Sequence, residues 1–129
     1  PAGYFVLRRL FYRPDRLVAP ETSLIFQALR HEDGWCDDPN HNAYNRLITQ
    51  PFSASHEKLW RNDSVYDLIV EVGFNDSPVR AGFGSAIFMH LNSKNNLPTE
   101  GCVALKLDPM LEILSKAAPG ASIEISETL

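Results

Sequence analysis

Apolar and polar positions along this chain fall into short runs, and most of those runs carry the period of a strand. From Gly3 to Tyr12, Tyr4, Val6, Leu10 and Tyr12 follow alternation better than a helical face, and Pro14-Asp15 closes the segment as a turn. Tyr66 to Phe74 is β-branched and almost continuously apolar, which suits a central strand. Asn75 to Pro78 then reads as a turn. A second apolar run, Ala86 to Met89, ends on His90, and a third opens on Cys102 just after Gly101, with a polar loop between. Asp108-Pro109 reads as a cap followed by a proline at the first helical position. Met110, Leu111 and Leu114 supply that helix with an apolar stripe, and Pro119-Gly120 ends it. Ser122 to Ser126 alternates cleanly as a closing strand.

Three stretches are harder to read. Leu17 to Arg30 holds either a strand at Thr22 to Phe26 or a short helix capped by Thr22 or Ser23. Phe52 to Asn62 reads as a short helix capped by Ser53 or Ser55, with His56, Leu59 and Trp60 inward; His56 is also a second candidate base. His31 to His41 is the densest polar cluster and reads as a long loop. The expected architecture is mainly β with two or three short helices, ordered strand-loop-strand-helix-strand from Tyr66 onward.

The chemistry concentrates between Gly84 and Leu105. His90 and Cys102 stand at strand ends and face one loop. An imidazole that takes the thiol proton yields a thiolate able to attack a carbonyl. Gly101, without a Cβ, permits close approach of a substrate, and the amides of Gly101 and Cys102 are candidates for an oxyanion site. The plainer alternative is a buried, inert cysteine beside an unrelated histidine.

The polar cluster adds a second set of candidates. Trp35 and Tyr44 offer apolar walls, and Asp37, Asp38, Asn45 and Arg46 offer polar anchors for the charged ends of a peptide. Two histidines, Cys36 and four carboxylates there also invite a metal reading, but their spacing departs from that of a closed zinc site. No metal and no cofactor is expected.

Length and charge narrow the classes. A chain of 129 residues is one domain by length and long enough for a core. A net charge of −4 argues against a nucleic-acid partner. No apolar run approaches the ~20 residues of a membrane-spanning helix. Two cysteines define no disulfide framework, and both are expected reduced. The start at Pro1, with neither an initiator Met nor a signal-peptide pattern, is expected of a processed or excised domain.

The words around the Cys-His pair resemble the L,D-transpeptidase catalytic domain, the YkuD-type family of peptidoglycan enzymes. That family's pattern is a strand ending in His, a loop, then Ser/Thr-His-Gly-Cys and an apolar strand. Here it stands as His90, a loop, and Thr99-Glu100-Gly101-Cys102-Val103. Pro1-Ala2-Gly3-Tyr4-Phe5 is similar to the family's Thr-Pro-x-Gly-x-Phe stretch without its first residue. The departures are Glu100 for the usual second His, Ala104 for the usual Arg, and a shorter loop, with Cys102 twelve positions after His90.

The resemblance implies an L,D-transpeptidase-like β-sandwich or barrel over residues 1–129, with strands missing before Pro1. It implies a divergent L,D-transpeptidase that builds a cysteine acyl-enzyme from a tetrapeptide stem and passes the acyl group to an amine of a second stem. Water as acceptor implies instead an L,D-carboxypeptidase or endopeptidase. In that reading Cys102 is the nucleophile, His90 the base and Gly101 part of the oxyanion site. Glu100 either orients His90 or binds a substrate ammonium, and Thr99 shapes the turn on the substrate side. Peptidoglycan stem peptides are the expected partners, carbapenem-type compounds the expected inhibitors, and the periplasm or cell envelope the expected location. The rivals are a non-catalytic module that binds cell-wall peptides and a metal-dependent amidase built on His31 to His41.

Overall fold

The computed structural model describes residues 3–92 and 103–125. Thr99, Glu100, Gly101 and Cys102, and the last residue of the expected closing strand, Ser126, lie outside the described residues. The architecture is mainly β, as expected: nine strands in two sheets and one α-helix among the described residues, against the two or three helices expected.

The longest strand, β1 (Gly3–Tyr12), organises the larger sheet. Its last part pairs in parallel with β2 (Ile25–Ala28), and its first part pairs antiparallel with β9 (Ser122–Ile125). Along β1 also runs β6 (Leu68–Val72), followed by β7 (Phe88–Leu91) and β8 (Val103–Leu105), in the order β2-β1-β6-β7-β8. The strand reading of residues 17–30 therefore holds, shifted towards Ala28.

The central place of β6 explains its near-continuous apolar run, because both of its faces are covered. Leu68, Val70 and Val72 face one way, joining Leu7, Leu10, Met89 and Leu91 under α1 (Leu107–Lys116). Ile69 faces the other way, joining Phe11, Phe88, Trp35, Leu59 and Tyr66 in a second buried cluster.

That second face carries the smaller sheet, ordered β4-β3-β5 from β3 (Asp33–Cys36), β4 (Leu47–Thr49) and β5 (His56–Lys58). Two expectations are corrected here. The polar cluster at 31–41 is not all loop: its middle is β3, buried at every position. A Cβ on Gly34 would stand 2.7 Å from the Ile48 Cδ1 and 3.2 Å from the Glu57 carbonyl oxygen, so both neighbouring strands pass close to it. The expected helix at 52–62 is absent, and His56–Lys58 instead pairs with Gly34–Cys36. Cross-strand pairing and the burial of Leu59 outweigh a weak local helical preference.

The helix α1 begins at Leu107 after the cap residue Lys106, which makes no side-chain cap bond. Asp108 is therefore inside the first turn rather than at the cap, where its charge still suits the helix dipole. Pro109 remains within the turn whose N–H groups have no helical partner, so its missing donor costs nothing there. The helix stops at Lys116, and Pro119-Gly120 forms the turn into β9 rather than the helix end.

Candidate active site

His90 lies next to the C-terminal end of β7, with only 2% of its surface exposed. Its backbone pairs with Ile69 on one side and Ala104 on the other. The ring nitrogen Nδ1 is 2.8 Å from the Leu91 carbonyl oxygen. A carbonyl can only accept, so Nδ1 carries the proton and Nε2 is left as the basic nitrogen.

The imidazole ends a run of edge-to-face aromatic contacts. Trp35 meets Phe88 at 5.1 Å between ring centres, Phe88 meets Tyr66 at 5.9 Å, and Tyr66 meets His90 at 5.5 Å. The Tyr66 hydroxyl donates a short hydrogen bond to the Glu57 carboxylate. The Arg61 guanidinium sits 5.2 Å from the Tyr66 ring centre. Asp63 holds that guanidinium through two hydrogen bonds, at 2.9 and 2.6 Å. The pairing holds the Asp63 carboxyl below its usual range and pushes Arg61 further up, the Arg61–Asp63 hydrogen bond being the main cause of both.

The strands β7 and β8 run parallel, so the chain crosses over between them rather than turning back as a hairpin. Val103, which follows Cys102 in sequence, pairs with Met89, which precedes His90. The parallel register thus aligns the start of β8 with the strand that holds His90. Ala104 lies directly beside His90 on β8.

The candidates from the polar cluster are distributed differently. Trp35, Tyr44 and Asn45 are buried. The Trp35 indole N–H donates to the Asn45 Oδ1 at 3.0 Å, and the Ala86 amide donates to the same oxygen at 3.3 Å. The Asn45 Nδ2 donates to the carbonyls of Phe74 and Asn75, at 3.0 and 2.7 Å. The Tyr44 hydroxyl accepts from the Gly84 amide at 3.0 Å, and the Ser85 hydroxyl donates to the Cys36 carbonyl at 2.7 Å. Gly84 has φ +133°, and a Cβ there would stand 2.6 Å from the Phe74 ring. These contacts fasten residues 74–86, the lead-in to β7, onto the smaller sheet.

Arg46 is exposed and donates to the Asp76 carbonyl at 2.8 Å. Trp35, Asn45 and Arg46 line a cavity of about 190 Å³ with Arg9, Glu71 and Asp76. Asp37 accepts from the Ser55 hydroxyl at 2.7 Å, and Asp38 accepts from the Asn40 amide at 2.9 Å in a local turn. His56 sits on β5 opposite Cys36, its Nδ1 2.8 Å from the Ala54 carbonyl. Cys36 is buried and unbridged among the described residues.

Sequence reasoning missed Tyr66 as the neighbour of His90 and Glu57 as the partner of Tyr66. The signal for Tyr66 was its place at the head of the central-strand run, but nothing local in sequence brings Glu57 to it. None of the described residues forms a cluster of three or more His, Cys, Asp or Glu side chains able to hold a metal.

His90 is thus a buried histidine on an interior strand, its tautomer set by a backbone carbonyl, beside a parallel strand that begins at Val103. The chain belongs to the L,D-transpeptidase catalytic domain family, whose model, YkuD, matches residues 1–125. That family acts on peptidoglycan and is generally associated with the cell envelope. No curated protein and no solved structure matches the chain. No helix among the described residues is long and apolar enough to cross a membrane.

Proposed function

We propose that this chain is a single catalytic domain that performs cysteine-dependent acyl transfer on peptidoglycan stem peptides. The observation that carries the reading is the fixed imidazole of His90, beside a parallel strand that opens directly after Gly101-Cys102. Nε2 of His90 takes the proton of the Cys102 thiol. The thiolate attacks the carbonyl of the third residue of a tetrapeptide stem, and the Gly101 and Cys102 amides stabilise the oxyanion, at roughly 3 kcal/mol per donor. Collapse breaks the bond to the terminal D-alanine, whose amine leaves with the proton from His90. An amine of a second stem then attacks the thioester and regenerates the thiol. The bond from Nδ1 to the Leu91 carbonyl already fills the third-group position of a triad, which favours an ammonium-binding role for Glu100.

The test is covalent. A carbapenem incubated with the chain is expected to add its mass to Cys102, and Cys102→Ala is expected to remain folded and take up none. A tetrapeptide stem with an amine acceptor is expected to release D-alanine and yield a crosslink; release without a crosslink assigns the hydrolase. An unlabelled Cys102, or full turnover by Cys102→Ala, overturns the reading.

A further inference from the structure

We infer that Tyr66, anchored by Glu57, is a positioning residue for the His90 imidazole, and that the smaller sheet thereby sets the geometry of the base. The inference rests on the proposed role of His90.

Among the described residues the imidazole is held by one hydrogen bond, at Nδ1, and a flip about its Cβ–Cγ bond would break it. That flip would exchange Nδ1 for a carbon facing the Leu91 oxygen and carry Nε2 to the other side of the ring axis. The Tyr66 ring lies against the imidazole at 5.5 Å with the planes 70° apart. Packing of this kind opposes the flip only if Tyr66 is itself held.

Among the described residues two contacts hold it, and a backbone bond holds its neighbour Val65. The Tyr66 hydroxyl donates to Glu57 on β5, a bond strengthened by the acceptor's charge. Arg61, steadied by Asp63, lies over its ring. The carbonyl of Val65, next to it in sequence, accepts from the Leu91 amide at 3.0 Å, next to His90. Glu57 is placed in turn by its pairing with Trp35, whose ring leads back through Phe88 to Tyr66. The smaller sheet thus reaches the base by a hydrogen bond and by a stack of rings. Acyl transfer requires Nε2 to face the thiol and then the leaving amine, and small misplacements of such a group are costly in rate.

Tyr66→Phe keeps the ring and removes its anchor. Glu57→Ala removes the acceptor, and Glu57→Gln keeps an acceptor oxygen in place. With a tetrapeptide stem and an amine acceptor, kcat should fall about tenfold in Tyr66→Phe and Glu57→Ala with KM and thermal midpoint nearly unchanged. Glu57→Gln should recover most of what Glu57→Ala loses. Nitrogen NMR of His90 should show one tautomer, protonated at Nδ1, in the parent chain and a mixture in Tyr66→Phe. Folded Tyr66→Phe and Glu57→Ala variants with parental kcat, or a loss carried wholly by KM, overturn the inference. If the parent chain transfers no acyl group, the functional reading fails and the tautomer measurement alone judges the inference. A single unchanged tautomer in Tyr66→Phe then overturns it.

Discussion

At Asn45 one side-chain amide serves two donors and two carbonyls while its own backbone has φ 58°. Asparagine tolerates that left-handed conformation better than most residues, and its short amide reaches both flanking segments. Asn45→Ala leaves the Trp35 indole, the Ala86 amide and two carbonyls without this partner, at a cost of about 3 kcal/mol. Asn45→Gly relieves the backbone but still loses the amide, so it is expected to recover only a small part of that loss. Urea unfolding of both variants checks the split. Of this arrangement the sequence offered Trp35, Tyr44, Asn45 and Arg46 as a group, and the structure does bring them to one region. It showed nothing of their direction. An asparagine at a turn reads the same whether its amide faces solvent or four protein groups.

The helix α1 shows how far an element can be read from pattern. Met110 and Leu114 are fully buried against the larger sheet, whereas Ile113 is 39% exposed. Leu114→Ala is expected to lose about 3 kcal/mol of stability and Ile113→Ala less than about 1 kcal/mol, measured by urea midpoints. The apolar stripe was legible because it spans several turns of one helix. The strands β6 and β7 were legible for the related reason that burial on both faces leaves long apolar runs. Neither signal exists for β3, β4 and β5, which are three or four residues long and carry Asp33, His56, Glu57 and Lys58. Such strands are specified by their partners rather than by their own period.

Across the whole molecule, arginines tie the end of β1 to the segment that leads into β6. Arg13 pairs with Asp15 and donates to the Arg61 carbonyl at 2.6 Å, and its guanidinium covers the Trp60 ring at 3.7 Å. Arg16 reaches Asp67 at 2.9 Å and the carbonyls of Asn62 and Asp63. Hydrogen bonds from Arg13 and Arg61 hold the Asp15 and Asp63 carboxyls below their usual range. A lowered folded-state value means stability that is present above the unfolded value, near pH 4, and is lost as pH falls through the folded one. Stability is thus expected to decline below about pH 4. Asp63→Asn should flatten that acid limb slightly, by ~0.5 kcal/mol, because the pair is about half exposed. Urea midpoints between about pH 3 and 6 check this.

The sequence by itself determined the mainly β class, the strand that carries His90, the strand that opens after Cys102, the docking helix and the family. Those features rest on runs of apolar residues and on a local Gly-Cys word, and both are written along the chain. Only the tertiary structure decided that β7 and β8 run parallel, that β3 is buried inside a polar stretch, and that Glu57 reaches Tyr66 beside His90. Each of these joins residues from different strands. Hydrogen-bond register and side-chain direction between such segments are set by the packing of the two sheets, and that packing leaves no local period in the sequence to read.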